Sequence, residues 1–415
     1  MEPLSLNAAQ QCILKHTISL GTESVKLEQS LGRVLAEVVH SNRDHPPYDV
    51  SAMDGYAVRA ADLNNIPATL SLIEDIKAGD LPVNEILPGQ CARIMTGAAV
   101  PKGADTVIRV EDTETAQHDC VQINIAAKIG KDIRLQGENL RTGEVVFIPG
   151  TVIIPGVLGI LAMVKRAEVL VQRRPRIAIL SSGNELEGLA DSFDPNKVPD
   201  ANSYTLMAQV QTFGIEPTLL GIARDDPLEL SEFLKRGLEF DVLLISGGTS
   251  VGVYDYVRPT LEKLGVKMHF WRAAIRPGHP IAFGTSASTQ VFCLPGNPVS
   301  SMVCFEQFVV PALRSMMNYP GLFRRTLKVQ LTHTIKHHPG RTEFIRVTLS
   351  RDAQGGYLAT ATGSQGSGVL LSMARAEGLL IVPGDSAGME EGDVAIVQLL
   401  DGTNFQDSNG IGENA

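Results

Sequence analysis

The sequence predicts a multidomain protein of mixed α/β and β class. A central doubly wound parallel α/β domain follows an inserted β-rich module and precedes a small C-terminal β-barrel. Three observations predict this. Between Arg176 and about Leu313, short apolar runs alternate with helical patterns, and such alternation makes a parallel sheet with helices on both faces. From Asp44 to about Gly143 the runs are short and broken by Gly and Pro, as in a β module. From Leu327 to Leu400 only short strands and turns recur, which suits a small barrel or sandwich.

At 415 residues the chain is too long for one core. Residues 1–43 and 143–174 read as an N-terminal α/β domain in two pieces, 44–142 as the inserted module, 175–318 as the central domain and 319–402 as the barrel. Residues 403–415, rich in Gly, Asn and acids, read as a disordered tail. In the first piece, Ser5 to Val39 suggests a helix, a strand and another helix. Cys91-Ala-Arg-Ile-Met and Asp105-Thr-Val-Ile-Arg-Val typify the strands of the module. In the central domain Ile177–Leu180, Thr218–Ile222, Asp241–Ile245 and Val291–Leu294 read as strands. Asn202 or Ser203 can cap a helix carrying Leu206, Val210 and Phe213. Pro227 opens another helix, and Asn297-Pro298 reads as an N-cap with proline at the first helical position.

The net charge of −10 argues against a nucleic-acid partner, which calls for a basic stripe. Five cysteines without C-x-x-C spacing suit a reducing cytosol. The N-terminus lacks a signal peptide's apolar core. Val152 to Val164 is too short to span a bilayer. The expectation is a soluble, cytoplasmic protein with no membrane partner.

The stretch richest in chemistry is Ser246-Gly247-Gly248-Thr249-Ser250-Val251-Gly252, directly after a buried-strand pattern and followed by Asp255. A glycine-rich strand-to-helix turn lets backbone N–H groups converge on an anion, and hydroxyls add donors. Taken alone, such a loop can equally be an ordinary βα turn. In open α/β sheets ligands bind beyond the carboxyl ends of the strands. Four loops begin at such ends: Ser181–Glu185, Ala223–Asp226, the glycine loop, and Pro295-Gly296-Asn297-Pro298. They bring Glu185, Asp225, Asp226 and Asp255 to one edge. Each acid singly can be a helix cap; four beside an anion cradle call for a hard cation, Mg²⁺. The residues thus suggest Mg²⁺-assisted chemistry on a phosphorylated small molecule.

The glycine loop with Asp255 and Pro295-Gly-Asn-Pro resembles the shared domain of molybdenum-cofactor biosynthesis proteins. Ser51-Ala-Met-Asp-Gly-Tyr-Ala-Val58 and Arg93-Ile-Met-Thr-Gly97 resemble the N-terminal signature of one branch, the molybdopterin molybdenumtransferases, bacterial relatives of the gephyrin E domain. The resemblance runs from about Leu6 to Leu400. It implies a homodimer with a shared active site between the central domain of one subunit and the β module of the other. It implies adenylylated molybdopterin and molybdate as substrates, AMP as product and Mg²⁺ as cofactor, with the molybdopterin adenylyltransferase a possible partner. Asp54, Thr96, Glu185, Asp225 and Asp255 fall at the catalytic positions, and the last three are also the metal-site acids. Ser246, Gly247, Gly248, Thr249, Ser250, Gly252, Pro295, Gly296 and Asn297 fall at the pterin site. Arg276, His279, Arg341 and Ser367 fall where the family gathers groups around the oxyanion. Relatives often carry lysines around the Pro-Gly pair, where this chain has Arg276 and His279; a histidine is only partly charged near neutrality. Asn139 stands where relatives often have an acid.

Two other functions share these motifs: an adenylyltransferase, against which the N-terminal signature and the C-terminal β domain argue, and a non-catalytic scaffold, which has no use for clustered carboxylates. Outside the motifs, His333, His337 and His338 read as solvated, Met316-Met317 as packing, and Trp271 as core or interface.

Overall fold

Three six-stranded sheets carry the described part of the chain. The computed structural model describes residues 2–116, 119–192, 194–248 and 256–400. The expected tail lies outside them. Contacts divide the chain into two units. One comprises Val25–Leu31 and Leu35–Val169; the other takes its described residues from Met1–Ser24, Gly32–Val34 and Leu170–Ala415.

In the first unit the sheet order is Thr106–Arg109, Gly55–Val58, Gln90–Ile94, Ala68–Ile76, Cys120–Ile123, Thr113–Ala116. Its pairs are antiparallel except Ala68–Ile76 with Gln90–Ile94. Tyr56 and Val58 pack into one apolar cluster and Ala57 into another. Both faces of this strand are therefore covered, which explains its unbroken apolar sequence. The second helix expected before Val39 is absent; only the short 3₁₀ turn Leu27–Gln29 forms, and Gly32 follows it at φ +73°.

In the second unit the α/β sheet runs Thr218–Ala223, Ile177–Ser182, Val242–Ser246, Gln290–Leu294, Ala282–Thr285, Lys267–Phe270. The first four strands are parallel, and the last two form an antiparallel edge. Alternate residues face opposite cores: Ile177, Ile179, Val242 and Leu244 enter one, Ala178, Leu180, Leu243 and Ile245 the other. Ile177–Ser182 comes first in sequence yet lies between the second and third parallel strands. The winding direction thus reverses between it and Val242–Ser246, where a ligand crevice opens in such sheets.

Two local expectations change. The helix Leu6–Lys15, expected with the N-terminal domain, instead puts Ala9 and Ile13 into the core of the α/β layer. Residues four apart share a helix face, and this face is its apolar one. The helix Ala201–Gln211 is capped by Asp200, whose carboxylate accepts from Ser203 N at 3.1 Å. Asn202 and Ser203 sit inside its first turn, both buried.

The C-terminal sheet closes on itself. Thr342–Arg351 pairs with Tyr357–Ala361, then Thr326–Leu331, Val394–Leu399 and Gly378–Val382 follow, the last pairing back onto Thr342–Arg351. Closure removes free edges. The helical run before this barrel changes pitch midway: Pro298–Cys304 is α, Phe305–Val309 is π, and Val310–Met316 is α again. Pro311 has no N–H to donate and crowds the carbonyl four residues earlier; a π turn at that point relieves the conflict.

The π turn also fastens the barrel. Its Glu306, 6% exposed, accepts from Arg324 Nε at 2.8 Å and from Gln209 Nε2 at 2.9 Å. Its Gln307 donates to Gln398 at 2.8 Å. Stripping the carboxylate from a buried arginine is costly, while an apolar replacement of both partners is nearly neutral. Glu306→Ala should therefore lose about 3–5 kcal/mol of stability. Glu306→Leu combined with Arg324→Met should recover most of it, as read from urea unfolding midpoints.

Candidate functional site

A pocket of about 860 Å³ opens where the winding reverses. Of the residues expected there, Glu185, Gly247, Gly248, His279, Pro295, Gly296 and Asn297 line it. Ser246 lies beneath, its hydroxyl accepting from Asn202 Nδ2 at 2.7 Å. Thr249, Ser250, Gly252 and Asp255 lie outside the described residues.

Gly247 turns the corner at φ +92°, and a Cβ there would sit 2.3 Å from the Ser182 carbonyl oxygen. Only glycine fits both demands. Its N–H is committed to the Leu294 carbonyl at 3.1 Å, so Gly247 shapes the corner and is not a donor to an anion. Asn297 stands at the helix start with Pro298 behind it, but its side chain caps no N–H.

The acids differ. Glu185 is exposed in the pocket wall. Asp225 accepts from Asn184 N at 3.3 Å, and Asn184 Oδ1 accepts from Asp225 N at 3.2 Å. This clasp ties two of the loops together. Asp226 is a helix cap, accepting from Leu228 N and Glu229 N. Its ordinary structural role accounts for it.

Sequence reasoning missed three polar or charged lining residues as part of the site: Asp200, Asn202 and Arg272. Asp200, 5% exposed, binds the Ser181 hydroxyl at 2.9 Å and the Ser203 hydroxyl at 2.6 Å. Asn202, 8% exposed, also donates to the Gly296 carbonyl at 2.8 Å, so it joins two loops. Its Oδ1 is buried with no protein partner. A buried orphan acceptor is costly unless a ligand satisfies it. The signal lay in the spacing: Asn202 shares the stripe of Leu206 and Val210, an amide on an apolar face.

His279 Nδ1 donates to the Ala273 carbonyl at 2.8 Å, which leaves Nε2 toward other partners. Arg276, Arg341 and Ser367 are not among the lining residues. Ile275–Arg276 joins the barrel strand at Thr342–Glu343, so Arg276 and Arg341 flank one strand pair. Arg276 Nε lies 3.4 Å from Glu343. The Ser367 carbonyl accepts from Val299 N at 3.1 Å, seating that loop on the helix start. Arg346, 1% exposed, holds the same loop through the Gly366 carbonyl at 3.2 Å.

The bland readings mostly fit. Met316 and Met317 are core residues, and Trp271 lies under the Arg258 guanidinium at 4.8 Å. His337 differs: it is buried, with Nδ1 2.8 Å from Glu343. The turn at 339–340 folds it back beside the strand Thr342–Arg351.

In the first unit the Ser51–Gly55 turn meets the end of Gln90–Ile94. Asp54 Oδ1 accepts from Thr96 N at 2.7 Å and from the Thr96 hydroxyl at 2.8 Å. Asp54 and Thr96 are thus one clasp on an exposed rim.

Family models match three successive segments: MoeA N-terminal region (domain I and II) at residues 4–164, probable molybdopterin binding domain at 178–315, and MoeA C-terminal region (domain IV) at 328–400. A Nostoc sp. protein named molybdopterin molybdenumtransferase is 36% identical over 91% of this chain and 89% of its own length. This chain belongs to the molybdopterin molybdenumtransferase family. A second member, molybdopterin molybdenumtransferase 2 of Mycobacterium tuberculosis, is 35% identical over 92% of this chain and 94% of its own. The crystal structure of a molybdopterin biosynthesis moeA protein from Pyrococcus horikoshii OT3 superposes with a TM-score of 0.80 at 30% identity, covering 96% of this chain and all of that one.

Within this molybdenumtransferase chain, the Asp54 clasp has a measurable consequence. The Thr96 N–H, then its hydroxyl, hold the Asp54 carboxyl below its ordinary range. A carboxyl lowered on folding contributes stability above its unfolded value and loses it as pH falls through the folded one. Thr96→Val keeps the backbone donor and removes the hydroxyl. It should raise the Asp54 pKa part of the way back, read from the side-chain carboxyl ¹³C shift during an acid titration.

Proposed function

We propose that this chain inserts molybdenum into molybdopterin in molybdenum cofactor biosynthesis, taking adenylylated molybdopterin and molybdate and releasing AMP. The observation that carries this reading is the pocket at the switch point. It combines a glycine corner, a helix start and a buried orphan acceptor with an exposed carboxylate. In this reading Asn202 Oδ1 accepts from an N–H of the pterin, and Gly248 lies beside the phosphate groups. Glu185 and Asp225 offer the hard oxygen ligands that Mg²⁺ prefers, with Asp225 oriented by its clasp to Asn184. When bound there, Mg²⁺ would offset charge on the pyrophosphate linkage. Arg276, His279, Arg341 and Ser367 supply cationic and hydroxyl donors suited to a tetrahedral oxyanion.

The reading extends to a cytoplasmic homodimer in which the Asp54 rim of one subunit completes the pocket of the other. The molybdopterin adenylyltransferase, which makes the adenylylated substrate, is the natural delivering partner.

Incubation with adenylylated molybdopterin, molybdate and Mg²⁺ should release AMP and load metal in equal amounts. Glu185→Gln should fold normally and reduce AMP release at least tenfold; undiminished turnover would reject its role. AMP release independent of molybdate would reject insertion.

Sharing of the site is tested separately. Asp54→Ala and Glu185→Ala subunits, each inactive alone, should regain part of the activity when mixed. Absence of recovery after verified subunit exchange would count against the shared site.

A further inference from the structure

Among the described residues, one group of three thiol and imidazole side chains gathers its ligand atoms within 4.8 Å of one another: Cys12, His16 and His269. The group is half-buried and separate from the residues that line the pocket. Cys12 and His16 lie four residues apart at the end of the helix Leu6–Lys15, so they share its face. His269 comes from Lys267–Phe270, the edge strand of the α/β sheet.

The hydrogen bonds around the two rings select their ligating forms. His16 Nδ1 donates to the Cys12 carbonyl at 2.8 Å, so Nε2 carries the lone pair of the neutral ring. His269 Nε2 meets the Thr285 hydroxyl at 2.9 Å, leaving Nδ1. A protein oxygen on the distal nitrogen is the arrangement that orients metal-bound histidines. The rings lie 3.8 Å apart, centroid to centroid, above Phe283.

We propose that Cys12, His16 and His269 form a Zn²⁺ site that clamps the N-terminal helix to the edge strand. One thiolate and two imidazoles are the donor set of a borderline-soft ion, and the set selects against Mg²⁺. Tetrahedral zinc with bonds of about 2.0–2.3 Å puts its ligand atoms about 3.3–3.8 Å apart. The ligand atoms would draw together from 4.8 Å or less, while the two rings, now 3.8 Å apart centroid to centroid, would splay about the ion. Solvent takes the fourth position, since all three residues are partly exposed. On binding, the thiol proton of Cys12 is released to water and the sulfur bonds as thiolate. The clamped strand continues directly into Arg272 of the pocket wall, whose carbonyl accepts from Leu4 N at 3.1 Å. Zinc would thereby hold both sides of that segment.

The test uses the whole protein, stripped with a chelator and kept in excess Mg²⁺ so that acidic sites do not take up zinc. Titration against a chromogenic chelator should show one equivalent of Zn²⁺ bound, weakened at least tenfold in Cys12→Ser, His16→Gln and His269→Gln. Co²⁺ should give a thiolate-to-metal charge-transfer band that Cys12→Ser abolishes. Zn²⁺ should also slow alkylation of Cys12 in the unmutated protein at least tenfold while leaving Cys120 unaffected, a readout independent of how the variants fold. Equal zinc uptake by all four proteins, a cobalt spectrum without the thiolate band, or unprotected Cys12 would each overturn the site.

Discussion

The ends of the two middle parallel strands approach so closely that no side chain fits between them. Gly247 turns away from its strand with the Ser182 carbonyl 2.3 Å from where a Cβ would be. The pocket depends on that approach. It lies where the winding reverses, and the loops after Ser182, Ser246 and Leu294 share its rim. A larger residue at Gly247 would have to push these strand ends apart.

Buried polar groups then hold the rim in register. Asn202 joins Ser246 to Gly296, and Asp200 gathers Ser181 and Ser203. Glu306 and Gln307, presented by a π turn, tie the α/β layer to Arg324 and Gln398 of the barrel. Arg346 secures the loop that carries Ser367. Each of these groups is directional, so it specifies one arrangement where apolar packing alone tolerates several. The barrel loop thus arrives at the helix start of Pro298–Cys304 by hydrogen bonds made well away from it.

Much of this was legible in the residues. The apolar runs marked the parallel strands because both faces of such strands are covered. Pro227 and Asn297-Pro298 marked helix starts because proline suits a first turn. The glycine corner was legible in Ser246-Gly247-Gly248, and the Ser51–Val58 signature marked the turn where Asp54 meets Thr96. Less legible were residues whose role depends on partners far along the chain. Asn202 looked like a cap, and the helix Leu6–Lys15 looked like part of a neighbouring domain. His337 shows that even a partner six residues on, Glu343, is not legible when the intervening turn sets the two side by side.

The sequence by itself determined most strands, the turns and the fold class, since these follow from local periodicity and from the backbone limits of glycine and proline. Tertiary structure decided which side chains meet. It made Asp225 a clasp, and it left Asn202 Oδ1 without a protein partner at the pocket. It brought His269 to Cys12 across more than half the chain. The reason is physical: local pattern reflects which surface a residue buries, whereas hydrogen bonds and ligand sets reflect what the buried surface finds opposite it.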